Sequence, residues 1–512
     1  MLNAAFYLEV TARRVPEATA VIHDGRRYSY GQIEALANKV AHGLTRRGYG
    51  PGDRVGIFCP NRPGFVIAYY GIMKTGATPV LLACSLHLRE MITQMRDCDV
   101  RGLFTFDGYG DSEAAAQSIA AQEKNEICEH LWVIPADPLA DSPVEGLPAL
   151  ADLMAGEADA FIARRVDRDS TAVVIYTTGS TGAPKGSELT HANLMAAAMI
   201  NLPLGKMTSG TTRLVVNPLC SVMGLVSGLT LAVLCADKMI LVERFEPELI
   251  WRLLVDEQIV FMAAMPVVYR WMLDDRRPAD PSKIREHLRV CGTGGAHLSP
   301  EWSEEFEALV GTPIRPGYGM TEATSTICWN CPFEPNDPST VGRPLAGIEL
   351  RVVDEAWQAL PDGIAGEIVI RSPGLIKGYL GKPDLMPSLM RNGFFRTGDI
   401  GLLDDRGRLR ILGRKDDRFT RGDEHIYPAE IENALHEHPM VSLAAVVPVV
   451  DRALGREAKT FVVPKPGCQP SEGELLAWLD RQMSGGKCPG VIELRKSLPV
   501  SDNGKVIKRL LT

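Results

Sequence analysis

Little in this chain suits a membrane or an oxidising compartment. The longest apolar stretch, residues 222–236, is interrupted by Gly and Ser and falls short of the roughly 20 residues a spanning helix needs. The 11 cysteines are odd in number and scattered, as at Cys59, Cys220, Cys235 and Cys291, without the spacing of a disulfide framework. Cys328 and Cys331 form a lone C-x-x-C with no second pair or nearby His to complete a zinc site, so packing is the expected role. The first 16 residues carry Glu9, Arg13 and Arg14 and lack the basic-then-apolar order of a secretory signal. A reducing cytoplasm is the expected location. A net charge of -8 gives no general attraction to nucleic acid or to an anionic bilayer, and there is no internal repeat or low-complexity tract.

What is present is the make-up of a globular protein, with 45% hydrophobic and 23% charged residues over 512 positions, more than one core usually holds. From Tyr28 onward a short strand leads into a helical pattern, a Pro51-Gly52-Asp53 turn leads into the buried-strand pattern of residues 54–58, and this alternation recurs to about residue 340. Such alternation predicts an α/β domain with mostly parallel sheets flanked by helices. After Asp399 the texture changes. Residues 401–412 read as a hairpin about an Asp-Asp-Arg-Gly turn, residues 430–435 and 472–482 as helices, and residues 444–450 and 460–463 as strands. The expectation is a large domain over residues 1–415 and a small, mobile α+β domain over residues 416–512, with the linker at Asp416.

The most informative segment is residues 176–186, a loop of hydroxyls and glycines placed after the apolar run 172–175. Gly179, Gly182 and Gly186 let the backbone approach an anion, Thr177, Thr178, Ser180 and Thr181 can donate to phosphate oxygens, and Lys185 adds positive charge. A Walker A loop is excluded twice: Pro184 stands where that motif needs Gly, and Gly186 where Ser or Thr should bind magnesium.

The loop instead resembles the signature of the adenylate-forming superfamily, which includes acyl-CoA synthetases, peptide-synthetase adenylation domains and luciferases. Further segments match that superfamily in order along the chain: Gly317 to Glu322, Arg396 to Asp399, Gly413 to Asp417, and Leu498 to Lys505. The resemblance implies ATP, Mg2+ and, as co-substrate, CoA. It implies that Tyr318 lies against adenine between Gly317 and Gly319, that Thr321 contacts the α-phosphate, and that Glu322 binds the magnesium. Gly295 and Ala296 would join the nucleotide site, Asp399 would hold the ribose hydroxyls, and Arg414 would reach the nucleotide. Asp416 would be the hinge and Lys505 the catalytic lysine. For the acid it implies Cys220, Ser221, Met223, Gly224, Gly294 and Met320, and for the CoA tunnel Gly422 and Asp423.

Two departures bear on the acceptor. Ser221 occupies a position where acyl-activating relatives commonly have His, and Asp423 occupies one where a glycine commonly lies along the pantetheine arm. The expected activity is ATP-dependent activation of a carboxylic acid followed by transfer to CoA. The alternatives are transfer to a carrier-protein thiol or an amine, use of a preformed acyl adenylate, or, in another class, a non-catalytic nucleotide-binding protein on the same fold. The glycines and Met223 predict an apolar, roomy acid cleft, and no carboxylate is placed there for an amino group. An aryl, alicyclic or medium-sized aliphatic acid is therefore expected over an amino acid.

Overall fold

The computed structural model describes residues 2–108, 113–177, 184–202, 210–275, 280–421, 424–451, 455–483, 488–500 and 505–511. Two large sheets build the first part of the molecule. In one, the strands Ile314–Met320, Val290–Thr293, Phe261–Ala264, Thr212–Val215, Lys238–Leu241 and Thr19–His23 lie side by side and parallel, with antiparallel strands at both edges. In the other, Thr171–Thr177, Thr78–Leu82, Arg54–Phe58, Val100–Phe106 and His130–Ile134 are parallel, and Lys185–Thr190 turns back antiparallel on Thr171–Thr177.

The parallel strands are continuous apolar runs because helices cover both faces; every residue of Thr78–Leu82 is buried. The helix Pro63–Lys74 is buried along its whole length, packed between the two sheets. The helix Tyr30–Arg46 begins where Ser29 Oγ accepts from Gln32 N and Gln32 Oε1 accepts from Ser29 N, a reciprocal cap that closes two otherwise unpaired donors.

The sheet-and-helix alternation ends before residue 349, in keeping with the limit near residue 340 read from the sequence. Residues 349–414 form a separate, wholly antiparallel sheet of Glu349–Val353, Gly366–Arg371, Met390–Arg391, Phe394–Leu403 and Leu409–Arg414. Of this sheet only the last hairpin, Phe394–Leu403 with Leu409–Arg414, is legible in the sequence. A turn at residues 415–417 then leads into the smaller C-terminal domain. There the helices Pro428–His436 and Glu472–Gln482 pack on a three-stranded sheet, around a core that includes Ile431, Leu435, Val446, Val462, Leu475 and Leu479.

Among the described residues, the helix Pro428–His436 packs beside the strand Leu409–Arg414, and side chains of the small domain meet the large one. His436 lies with its ring 5.5 Å from that of Trp302, and Ser442 Oγ is 3.5 Å from Asp274 Oδ2. His436 and His297, half-buried at this junction, have their imidazoles pushed down to about 4 and about 3, in each case first by desolvation.

At the end of the central helix Lys74 is fully buried, and its Nζ donates to Glu9 Oε1 at 2.9 Å and Glu34 Oε1 at 2.8 Å. This is the ion triad that joins the N-terminal helix Phe6–Arg14, the helix Tyr30–Arg46 and the central helix. Removal of one member leaves charge without its partner in a medium of low dielectric. Lys74→Ala is expected to cost about 3–5 kcal/mol, read as a lowered urea midpoint for the large domain; an unchanged midpoint would remove the triad from the stabilising interactions.

Candidate active site

The strand Thr171–Thr177 delivers the phosphate-type loop to the C-terminal end of its sheet, the end at which open parallel sheets present ligands. Residues Thr178, Gly179, Ser180, Thr181 and Gly182 of that loop lie outside the described residues, as do Gly422 and Asp423. Both ends of the loop are defined: Thr177 pairs with Lys185 in antiparallel register, and Lys185 Nζ stands 5.6 Å above the ring of Tyr379. Tyr379 in turn donates its hydroxyl to Glu322 Oε1 at 2.9 Å. The ring thus joins the lysine of one motif to the carboxylate of another. Tyr379 was not singled out from the sequence, since a Gly-Tyr pair between turns carries no pattern of its own.

Glu322 is held on a strained turn. Thr321 to Ala323 form one 3-10 turn, which ends at Thr324 with φ 56° and Ser325 with φ 145°. A β-branched residue at positive φ is rare, and here burial of Thr324 with its hydroxyl donating to Gly374 O at 2.6 Å keeps it there. Just before it, Gly319 approaches the neighbouring strand so closely that a Cβ would stand 2.4 Å from Ser325 O. Only glycine fits.

Tyr318 projects from the same strand and donates its hydroxyl to Asp399 Oδ2 at 2.5 Å. Asp399 lies on Phe394–Leu403 directly across from Arg414, whose Nε is 3.2 Å from Asp399 Oδ1 and whose Nη2 donates to Thr397 O at 3.3 Å. Desolvation raises the Asp399 carboxyl, and Arg414 and the Tyr318 hydroxyl oppose that rise. Lys505 belongs to the same electrostatic neighbourhood. It retains exposed surface, yet the protein around it lowers its ammonium, first by desolvation and then through Arg414, with Asp417 and Asp399 acting the other way. Tyr318, Asp399, Arg414 and Lys505, spread over nearly two hundred positions of sequence, therefore share one site. Asp416 is exposed in the turn that follows Arg414.

The segment expected to line the acid pocket is held by its own turn. Ser221 is engaged within its own turn, donating to Pro218 O at 2.7 Å and accepting from Gly224 N at 3.2 Å. It shapes the entry to the wide, π-helical segment Met223–Thr230. Gly224 is forced by the same turn, since a Cβ there would lie 2.1 Å from Pro218 O. The space beside Met223 is a cavity of about 10 Å³, and its wall includes the buried Arg213. Cys220 and Met320 are half-buried against the main core, Gly294 packs beside Met223, and Gly295 and Ala296 are exposed at the end of their loop. The charge in the run 212–216 was the sequence signal for Arg213.

Comparison with known proteins gives these residues a setting. The AMP-binding enzyme family matches residues 8–380, and the AMP-binding enzyme C-terminal domain matches residues 430–505. A feruloyl-CoA synthase of Amycolatopsis sp is 30% identical over 97% of this chain and 96% of its own length. A long-chain-fatty-acid–CoA ligase of Bacillus subtilis is 29% identical over 98% of this chain and 92% of its own. Among solved structures, a benzoate CoA ligase from Burkholderia xenovorans superposes with a TM-score of 0.90 at 26% identity, over the full length of both chains. ATP-bound MatB from Rhodopseudomonas palustris does so with 0.89 at 26% identity, over 100% of this chain and 98% of that one. With both domains matched in order, the chain belongs to the AMP-binding enzyme family, as an AMP-forming, adenylate-forming enzyme of acyl-CoA ligase type.

Proposed function

We propose that the protein activates a monocarboxylic acid with ATP, releasing pyrophosphate, and then transfers the acyl group to the thiol of CoA. The observation that carries this reading is the convergence of Tyr318, Asp399, Arg414 and Lys505 beside Glu322 and Lys185, a set that suits a nucleotide and a reacting carboxylate. The names of relatives that act on ferulate, benzoate and fatty acids support CoA as the acceptor. The eleven free cysteines suit the reducing cytoplasm.

A carboxylate cannot lose an oxide, so its oxygen must first be made part of a better leaving group. In the first step a carboxylate oxygen bonds to the α-phosphorus of ATP as the bond to the β-phosphate breaks. Two anions must meet. Lys185 and the ammonium of Lys505 offset that repulsion, and Lys505 would follow negative charge onto the oxygens of the in-flight phosphoryl group. Asp399, acceptor-only when ionised, can take both ribose hydroxyls, with Arg414 holding it in place. Glu322, oriented by Tyr379, suits a magnesium ion held chiefly by substrate phosphates, since among the described residues no cluster could hold a metal alone. Such an ion would neutralise charge on the polyphosphate. In the second step the thiol attacks the acyl carbon and AMP leaves. Lys505 lies on the small domain, and we place the pivot for its withdrawal at Asp416, between the strands Leu409–Arg414 and Phe419–Arg421, with the domain boundary at residues 415 and 416.

Acid-dependent exchange of pyrophosphate into ATP, without CoA, tests adenylation. Lys505→Ala is expected to lower that exchange by about 10²–10³-fold with nucleotide binding retained; equal exchange in the variant would take Lys505 out of the chemistry. Because its ammonium is lowered, the alkaline limb of kcat/KM for adenylation should fall below the ordinary lysine value of 10.5. The protonated form is the active one, so activity is full at lower pH and fades as pH rises through the lowered value. Lys505→Arg should lose that limb. Asp416→Pro is expected to slow thioester formation by about tenfold or more while exchange survives; parallel loss of both half-reactions would remove the pivot from residue 416.

A further inference from the structure

We propose that Arg213, paired with Asp237 and stacked on Phe261, forms the blind end of the acid pocket and limits the substrate to a short-chain or single-ring monocarboxylic acid. This rests on the adenylation reading above and adds to it the class of acid.

The strand Thr212–Val215 lies at the centre of its sheet, where the neighbours of Arg213 are Leu214, Val215 and other apolar residues. A guanidinium in such a place must be neutralised and hydrogen-bonded. Both conditions are met. Arg213 and Asp237 are fully buried; Nη2 donates to Asp237 Oδ2 at 2.8 Å and Nη1 donates to Ser227 O at 2.7 Å in the π-helical segment. Asp237 Oδ1 accepts from Thr211 N at 3.1 Å and Thr211 Oγ1 at 2.7 Å. The Arg213 guanidinium carbon stands 4.2 Å over the Phe261 ring.

The cavity between these groups and Met223 has about 10 Å³, room for about one water. Met223 is its inner gate. A Cβ on Gly294 would stand 3.3 Å from Met223 Cε and 3.1 Å from Gly317 O, which places the thioether between the cavity and the strand that carries Tyr318. Methionine is unbranched and can swing aside for an acyl group. Arg213 cannot, because its ties run to a neighbouring strand's end through Asp237 and to the π-helical segment through Ser227. An incoming acyl group therefore gains the space of Met223 and stops at an ion pair. The pair is neutral overall, so it offers no excess cation for a second carboxylate, and its polar edge is a poor surface for the methylenes of a long chain.

The test uses the whole enzyme and non-hydrolysable acyl sulfamoyl-adenosines, read by calorimetry as Kd. Butyryl and benzoyl forms should bind about tenfold or more tighter than sulfamoyl-adenosine itself, and the hexadecanoyl form no tighter than it. Equal tightness of hexadecanoyl and benzoyl forms would overturn the proposal while leaving adenylation intact. Failure of every compound, sulfamoyl-adenosine included, would overturn the adenylation reading and this proposal with it. Arg213→Leu combined with Asp237→Ala removes both charges together and should tighten the octanoyl form by about tenfold with the butyryl form unchanged. Phe261→Ala opens the same end without touching the ion pair and should act in the same direction if the double variant does not fold. An octanoyl Kd unmoved in whichever of these folds would take the specificity role from this cluster.

Discussion

A buried carboxylate has to be satisfied by its surroundings, and in this protein the satisfaction of Asp399 determines how three strands of two different sheets come together. Tyr318 comes from the last of the parallel strands of the large sheet, whereas Asp399 and Arg414 face each other across the antiparallel sheet. Desolvation raises the carboxyl, and the guanidinium and the phenol oppose that rise. Together the three groups seal the junction between the sheets and present a polar surface toward Lys505. The site is thus a product of the junction, and neither sheet alone contains it.

Much of this was legible from residues alone. Apolar runs punctuated by Gly and Pro announced the parallel sheets, and the helices at 428–436 and 472–482 emerged within two residues of their expected limits. The candidate side chains Tyr318, Glu322, Asp399, Arg414 and Lys505 lie in short polar motifs with unusual order, which is why folding could be expected to bring them into one neighbourhood. What escaped were contacts made by residues without local pattern. Tyr379 matters only because folding lays its ring between Lys185 and Glu322. Of the sheet of residues 349–414 only the last hairpin was legible in advance. The hydrogen bonds of Ser221, made to its own turn, likewise carry no local sequence pattern.

The family fold and the acid it accepts are written in different parts of the chain. Nucleotide-facing residues come from loops at strand ends, where backbone geometry and hydroxyls are tied to the shape of a phosphate. The acid-facing wall we propose is the interior of a strand and a wide helical segment, where side chains can vary in volume and polarity without moving the loops. Relatives named for ferulate, benzoate and long fatty acids can therefore share one architecture with this chain. In this chain the interior carries an ion pair, a rigid element in a place otherwise lined by adaptable carbon.

The junction between the domains carries one more consequence. His436 and His297 hold their protons only near pH 4 and pH 3 when the small domain is docked, against 6.5 for an ordinary imidazole. Docking therefore expels protons. Above 6.5 neither side of that equilibrium holds them and the docked arrangement is indifferent to acidity; as pH falls from 6.5 toward 4, an undocked domain can take up protons that the docked one refuses. Acid is thus expected to weigh against the contact between Trp302 and His436.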